Sequence, residues 1–431
     1  MFLLLYPNEK KGNREFYILG NGSFYRMKIL QINAAYGQGS TGTIVRDIEK
    51  MCEESGIECY VASPDKRVLE AKHGYVIGST IDHKIHALLS RIHGKQAYYS
   101  HIPTRNLIRW IDEIKPEIVH LHNLHSNYIH LNMLLHYLAE RDIKTIVTLH
   151  DCWFITGGCF HYTAAGCNKW LTNCKNCPKK KEDTPAFFSK QSAKILADRK
   201  KFLLAIPHLY ITGVSQWMAH EALRTFLKDT PTYVIPNGID MDVFKPTLSD
   251  LRKRLGLERK YVILGPASKW LSDVNKEVLT KFTELMQPDE ALLLFGVDVQ
   301  DTLNLPKNVI TYGYTKNREE LAQLYTMADV FVNCSREDSL SLINVEAQAC
   351  GTPVVTFDQT GPKETVDEIN SFSVTTGDTV MMYEKVSTIK HKGTEKNENI
   401  KFVAGVYEKR KNYSKYINLY QNIYKSCQVY H

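Results

Sequence analysis

The sequence predicts an α/β fold built as two doubly wound domains. The chain has 431 residues, more than one core of roughly 200 residues accommodates. From Met27 onward, short β-branched runs alternate with stretches of helical periodicity. That rhythm stops once, at Pro236-Asn237-Gly238, and then starts again. Alternation of this kind implies parallel sheets with crossover helices.

Composition narrows the class. Hydrophobic residues make up 43% and charged residues 23%, as in ordinary globular chains. A net charge of +7 is well below that of a dedicated nucleic-acid binder, and is compatible with an acidic lipid surface or a phosphorylated ligand. No apolar run approaches the ~20 residues of a membrane span. The opening MFLLLYP has neither the basic region nor the longer apolar stretch of a secretory signal. The ten cysteines are therefore expected in a reducing cytosol, where disulfides are disfavoured. Residues 1–26 have weak periodicity and stand apart as an N-terminal extension, with Met27 the expected initiator.

In order, strands are predicted at 28–33 and 57–62, with a glycine loop and a helix over 43–54 between them. Helices follow near 81–95 and 104–114, a strand at 117–122, a helix at 130–141 and a strand at 144–149. A cysteine-rich stretch then intervenes. After it come a helix near 186–205, a strand at 208–213, a helix from Gln216 and a strand at 232–235. The second series has strands at 260–264, 291–295, 309–312, 330–333 and 353–357, with helices at 273–287, 317–327 and 341–350. Gly351 and Pro353 terminate the last of these helices. Residues 404–426 read as one helix with tyrosines at 407, 413, 416, 420 and 424, a packing face. Ligands of such sheets sit at the carboxyl ends of the strands, so the cleft between two facing domains is the expected site.

Three groups of residues carry chemistry. Gly37-Gln38-Gly39-Ser40-Thr41-Gly42 has the G-x-G-x-x-G spacing after the first strand, but the acid a dinucleotide site needs at the end of the second strand is absent. Gly39 and Gly42 therefore read either as a close backbone approach to a ligand or as a tight turn. His120, His122, His125 and His150 fall at strand ends; no H-E-x-x-H spacing supports a metal, and His150, next to Asp151, is the favoured functional histidine. Most informative is SREDSLSLINVEAQACG over 335–351. Asp338 and Glu346 are carboxylates suited to accept hydroxyl hydrogen bonds, beside a helix start whose N–H groups suit phosphate. An N-terminal acid preference explains positions 337–338, but not Glu346 inside an apolar helix.

Asp338-x7-Glu346 followed by AxAxGxPVV resembles the E-x7-E segment of retaining GT-B glycosyltransferases of family 4. VIPNGIDMDVF resembles that family's domain junction, LYTMADVFVNCS its strand before the acidic segment and GPKETV its donor-side loop. HDCWFITGGC, GCNKW and CKNCP are similar to a bacterial subgroup that builds cell-surface polysaccharides. The resemblance implies an acceptor-side domain over 27–236, a cysteine-rich insertion at about 152–182, a donor domain over 237–405 and a helix over 406–431 packing back across both. It implies that Glu346 holds the nucleotide ribose, that Asp338 with the backbone of Ser339 and Leu340 holds the donor sugar, and that His150 stands near the reaction centre. Where the family places Arg and Lys to neutralise the diphosphate, this chain has Asp273-Val274-Asn275, leaving Lys269 or Lys276 for that role. Transfer in this family needs no metal cofactor, and Asp240-Met241-Asp242 reads as capping in the linker.

The implied function is a cytoplasmic enzyme, at the inner membrane face where it contacts lipid, moving a hexose from a nucleotide sugar to a glycan or lipid-linked acceptor. A sugar-nucleotide epimerase and a non-catalytic nucleotide-sugar-binding scaffold are the alternatives. Nucleic acid is not an expected partner, because Lys179-Lys180-Lys181 runs straight into Glu182-Asp183. Cys159, Cys167, Cys174 and Cys177, spaced by x7, x6 and x2, suit a structural zinc bound by four thiolates; free thiols are the competing reading.

Overall fold

A computed structural model describes residues 26–179, 182–183, 185–188, 190–297, 305–393 and 396–426. The expected extension over 1–26 lies almost wholly outside these. The chain divides into two compact units: one takes residues up to Ile235 together with those from Tyr413 onward, the other Pro236–Asn412.

The first unit contains β1 (Lys28–Ile32), α1 (Gly39–Glu54), β2 (Glu58–Ser63), β3 (Gly74–Val76), α2 (Thr80–His93), α3 (His101–Ile114), β4 (Ile118–Leu121), α4 (Leu131–Glu140), β5 (Lys144–Leu149), α5 (Ser192–Leu204), β6 (Leu209–Gly213), α6 (Gln216–Leu223) and β7 (Thr232–Val234). Its sheet is parallel, in the order β3-β2-β1-β4-β5-β6-β7. Every residue of β4 is buried, as expected of a strand covered on both faces. The second unit contains α7 (Leu251–Arg254), β8 (Tyr261–Pro266), α8 (Ala267–Trp270), α9 (Lys276–Leu285), β9 (Glu290–Phe295), β10 (Val309–Tyr312), α10 (Arg318–Met327), β11 (Val330–Asn333), α11 (Leu342–Ala349), β12 (Val354–Phe357), β13 (Phe372–Val374), α12 (Thr379–Lys392) and α13 (Lys396–Val406). Its parallel sheet runs β10-β9-β8-β11-β12-β13. Helix α14 (Lys409–Lys425) brings Tyr413, Tyr416 and Tyr420 into the core of the first unit.

Several boundaries differ from the sequence expectation. Strands β3 and β13 have three residues each, too few to show a period. Helix α1 begins at Gly39 rather than 43, because Gln38 is extended and the Gly37 N–H donates to the Gly42 carbonyl at 2.8 Å. Helix α5 begins at Ser192 rather than near 186. The single helix expected over 404–426 is two, broken at Tyr407 and Glu408. There Ile239 pairs with the chain, its N–H donating to the Tyr407 carbonyl at 2.9 Å and its carbonyl accepting from the Lys409 N–H at 3.1 Å. Gly238 permits that approach, since a Cβ would lie 2.3 Å from the Lys409 Cα. Asp240 joins the same junction, accepting from the Asp242 N–H and from Lys409 Nζ at 2.6 Å, a capping role.

The cysteine-rich insertion is anchored to α5 by Arg199. Its guanidinium is buried 3.7 Å from the Trp153 ring centroid and donates to the Trp153 carbonyl and, at 2.6 Å, to that of Thr156. Burial pulls its pKa down to about 10, still fully charged at neutral pH. Arg199→Leu removes the donor and strands two buried carbonyls. It should lower unfolding free energy by about 2–4 kcal/mol, read by chemical denaturation.

Candidate functional site

In a doubly wound sheet, the strand order reverses at one place, and the loops leaving the two strands there part to form a crevice. In the second unit those strands are β8 and β11. The loop after β8 carries Lys269 and Asn275; the loop after β11 carries Arg336 and Asp338. Asn275 ties them together. Its buried amide donates to the carbonyls of Lys269 at 3.0 Å and Cys334 at 2.9 Å, while its Oδ1 accepts from Arg336 Nε at 2.8 Å. Burial raises the Cys334 thiol pKa to about 12, with the charges of Lys269 and Arg336 both pulling the other way. Lys269 is half-buried, with no ion-pair partner among the described residues. Lys276 is exposed and pairs with Asp273 at 2.7 Å.

The acidic pair follows. A second loop clamps the backbone at Asp338: Thr360 Oγ1 donates to the Asp338 carbonyl at 2.7 Å, and the Gly361 N–H donates to the same oxygen at 3.1 Å. Only glycine fits at 361, where a Cβ would lie 1.9 Å from the Ser339 carbonyl. Ser339 is buried, and its hydroxyl has no partner among the described residues. Leu340 is buried beside it, and Ser341 opens α11 with its hydroxyl held by Asn333 at 2.9 Å. Glu346, half-buried on α11, accepts from the Tyr325 hydroxyl at 3.2 Å. Burial pushes its pKa up to about 7, against the smaller opposing pull of Arg318 and Tyr325.

In the first unit the reversal lies between β1 and β4. Gly39 and Gly42 belong to the helix start after β1; a Cβ at 42 would crowd the Ala35 backbone at 3.2 Å, while one at 39 would meet nothing. The four histidines separate by role. His120 is a core residue, 2.6 Å from both the Tyr420 hydroxyl and Thr148 Oγ1. His125 pairs with Asp151 at 3.3 Å. Burial pushes the Asp151 carboxyl up, but His125 and the Trp153 N–H outweigh it and hold it below its ordinary range. His122 and His150 form a chain with Gln31. Gln31 Nε2 donates to the Val45 carbonyl at 3.1 Å, which turns its oxygen to His122 Nε2 at 3.2 Å. His122 Nδ1 must then accept, and it meets His150 Nε2 at 3.1 Å. The chain leaves His150 Nδ1 as a lone pair, buried and without a partner among the described residues. Burial drives the His150 pKa down to about 4, so the ring is neutral. It can accept a hydroxyl hydrogen bond but carries no charge.

Cys159, Cys167, Cys174 and Cys177 line one small pocket with Tyr162 and Trp170. Burial raises the Cys159 thiol to about 12 and that of Cys174 to about 11. Among the described residues no three His, Cys, Asp or Glu side chains are drawn close enough to hold a metal, so the thiols share a pocket without the finished geometry of a bound ion. Among the described residues no two cysteines are joined in a disulfide.

Arg336 is the residue that sequence reasoning passed over. In the string SRED it reads as one more solvated charge, and only the pairing of β8 with β11 sets it beside Asn275.

The raised pKa of Glu346 has a measurable consequence. The folded state holds its proton more tightly than the unfolded chain, so stability is fully present below about pH 4.5 and is lost as pH rises towards 7. Glu346→Gln should therefore be more stable than the parent at pH 8, on the order of 1 kcal/mol. The difference should close below the unfolded pKa. Thermal midpoints across this range provide the measurement.

The comparisons agree with this fold. Residues 41–243 match the family described as Glycosyltransferase Family 4, and residues 247–401 that described as Glycosyl transferases group 1. The chain is 23% identical over 417 residues to the protein of Escherichia coli (strain K12) named for colanic acid biosynthesis as glycosyl transferase WcaC, covering 92% of this chain and 100% of that one. A glycosyltransferase from Rickettsia africae shares the fold at a TM-score of 0.65 and 16% identity, over 93% of this chain and 100% of the other. HepE of Anabaena, solved in complex with UDP, does so at 0.63 and 16% identity, over 92% and 100%. Two parallel-sheet units, each matched by one half of the same enzyme class, make this chain a member of the GT-B glycosyltransferases, with a Glycosyltransferase Family 4 region followed by a group 1 region.

Proposed function

We propose that the protein transfers a hexose from a nucleoside-diphosphate sugar to a hydroxyl of a lipid-linked glycan during assembly of a cell-surface polysaccharide, with retention at the anomeric carbon. The observation that carries the donor assignment is the set of groups at the β8/β11 reversal: Lys269 and Arg336 joined through Asn275, then Asp338, then Glu346 on α11. A relative named for colanic acid biosynthesis, and a structural neighbour solved with UDP, support the substrate class.

Each group has its own part in this reading. Glu346 accepts the ribose hydroxyls, which replace Tyr325 as its partner. Negative charge grows on the departing diphosphate, and Lys269 with Arg336 neutralises it from fixed positions. Arg336 thereby supplies the guanidinium that the family places in the loop after the first strand of this unit, and Asn275 holds it there. The Asp338 carboxylate and the backbone at Ser339 and Leu340 take hydroxyls of the sugar. In the first unit, His150 offers its Nδ1 lone pair to a substrate hydroxyl. Departure of the leaving group and attack of the acceptor take place on the same face, and the acceptor proton passes to the departing phosphate. The protein then contributes position and charge more than acid or base.

A panel of UDP-, GDP- and dTDP-sugars, followed by ligand-observed NMR and then by turnover, tests the assignment. Glu346→Ala should abolish binding of the identified donor. Arg336→Ala should lower kcat by about 100-fold while the fold is retained, and Arg336→Lys should recover part of that loss. Wild-type turnover in both alanine variants would refute the donor site, and release of free product without acceptor would point to an epimerase.

A structural zinc on Cys159, Cys167, Cys174 and Cys177 is a separate proposal, supported by the pocket the four thiols share. Metal analysis of the purified full chain should find about one zinc per chain, lost in Cys174→Ser/Cys177→Ser. A metal-free, fully folded preparation would leave these as free thiols.

A further inference from the structure

Helix α2 is amphipathic, and it faces the opposite way from an ordinary surface helix. Its buried side carries His86, whose Nδ1 lies 2.6 Å from Ser100 Oγ, and Ser90, whose hydroxyl donates to Asn127 Oδ1 at 3.1 Å. Its outer side carries Ile81, Ile85 and Leu88, exposed to 70%, 52% and 55%. With about 100° between successive residues, these three and the half-exposed Ile92 fall within an arc of roughly 60°. A helix that only has water outside it carries the reverse pattern. The segment beside its carboxyl end adds to the apolar surface: the Phe187 N–H donates to the Arg91 carbonyl at 2.7 Å, and Phe187 and Phe188 are exposed to 62% and 84%.

Charge selects the occupant. Lys84 and Arg91, both exposed, line one flank of the aliphatic arc. The acid of this helix, Asp82, is turned to its amino end, where it accepts from the Ser79 N–H at 2.8 Å and hydroxyl at 2.6 Å. A convex aliphatic stripe with a basic flank and an aromatic pair suits an interfacial helix lying among anionic headgroups. Among the described residues no helix is long and apolar enough to cross a membrane, so the contact is one of lying on the bilayer.

We propose that α2, together with Phe187 and Phe188, docks the protein on an anionic lipid surface, with Ile81, Ile85 and Leu88 at the acyl boundary and Lys84 and Arg91 among the lipid phosphates. The inference stands without the donor assignment, because it uses no residue of that site.

Flotation of the full chain tests it, with vesicles of phosphatidylcholine alone or mixed with phosphatidylglycerol. The parent should partition onto the mixed vesicles and release as salt is raised. Ile85→Ser/Leu88→Ser should lower the partition coefficient about tenfold or more, and Lys84→Glu/Arg91→Glu should remove the preference for anionic lipid. Circular dichroism should be unchanged in both, since the side chains point outward. Absence of flotation with anionic vesicles would overturn the proposal, as would equal flotation of parent and variants. A dimer of the parent that Ile85→Ser/Leu88→Ser converts to monomer, with no flotation of either, would assign the face to a second copy of the chain and overturn it too.

Discussion

A parallel sheet covered on both faces has nowhere to put polar chemistry except the ends of its strands. That constraint governs both units. The residues of β4 and β11 are all buried, and the side chains proposed to meet substrate lie beyond the strand ends. The two loops at a reversal point must also be fastened to each other, because nothing else fixes their separation. In the second unit one buried amide does this, Asn275, with contacts to Lys269, Cys334 and Arg336. An amide suits this position because it donates twice and accepts once, while adding no charge to a site proposed to take a diphosphate.

The same economy of charge holds in the first unit. His150 is neutral because it is buried, and Gln31 and His122 fix which of its nitrogens carries hydrogen. Glu346 is held near neutrality by burial. Lys269 and Arg336 provide the cationic character of the proposed donor site. In the proposed reaction the developing negative charge is localised on a leaving group, and the fixed cations joined through Asn275 suit it.

Much of this was legible in the sequence, for physical reasons that vary along the chain. Buried strands such as Val330–Asn333 announce themselves through β-branched runs, and Glu346 stands out because a carboxylate inside an apolar helix has no structural use. Strands β3 and β13 were not legible, since three residues carry no periodicity. The break at Tyr407 and Glu408 was hidden because its cause, Ile239, lies far away in sequence. Arg336 was missed for the same reason: a charged residue in a loop gives no hint of which distant loop it will meet. The outward face of α2 was hidden differently. Hydrophobic periodicity reveals that a helix has an apolar side, and leaves open whether that side faces protein or solvent.

The order of the chain also bears on how the protein is made. The first unit is not complete when its own strands have been synthesised, because Tyr416 and Tyr420, which meet Thr148 and His120, are encoded after the whole of the second unit. Until α14 has been synthesised, the nascent amino-terminal sheet presents those buried hydroxyl and imidazole groups to solvent, or to a chaperone, instead of to their tyrosines. A ribosome that stalls or terminates shortly before residue 413 would release a sealed second unit joined to an open first one.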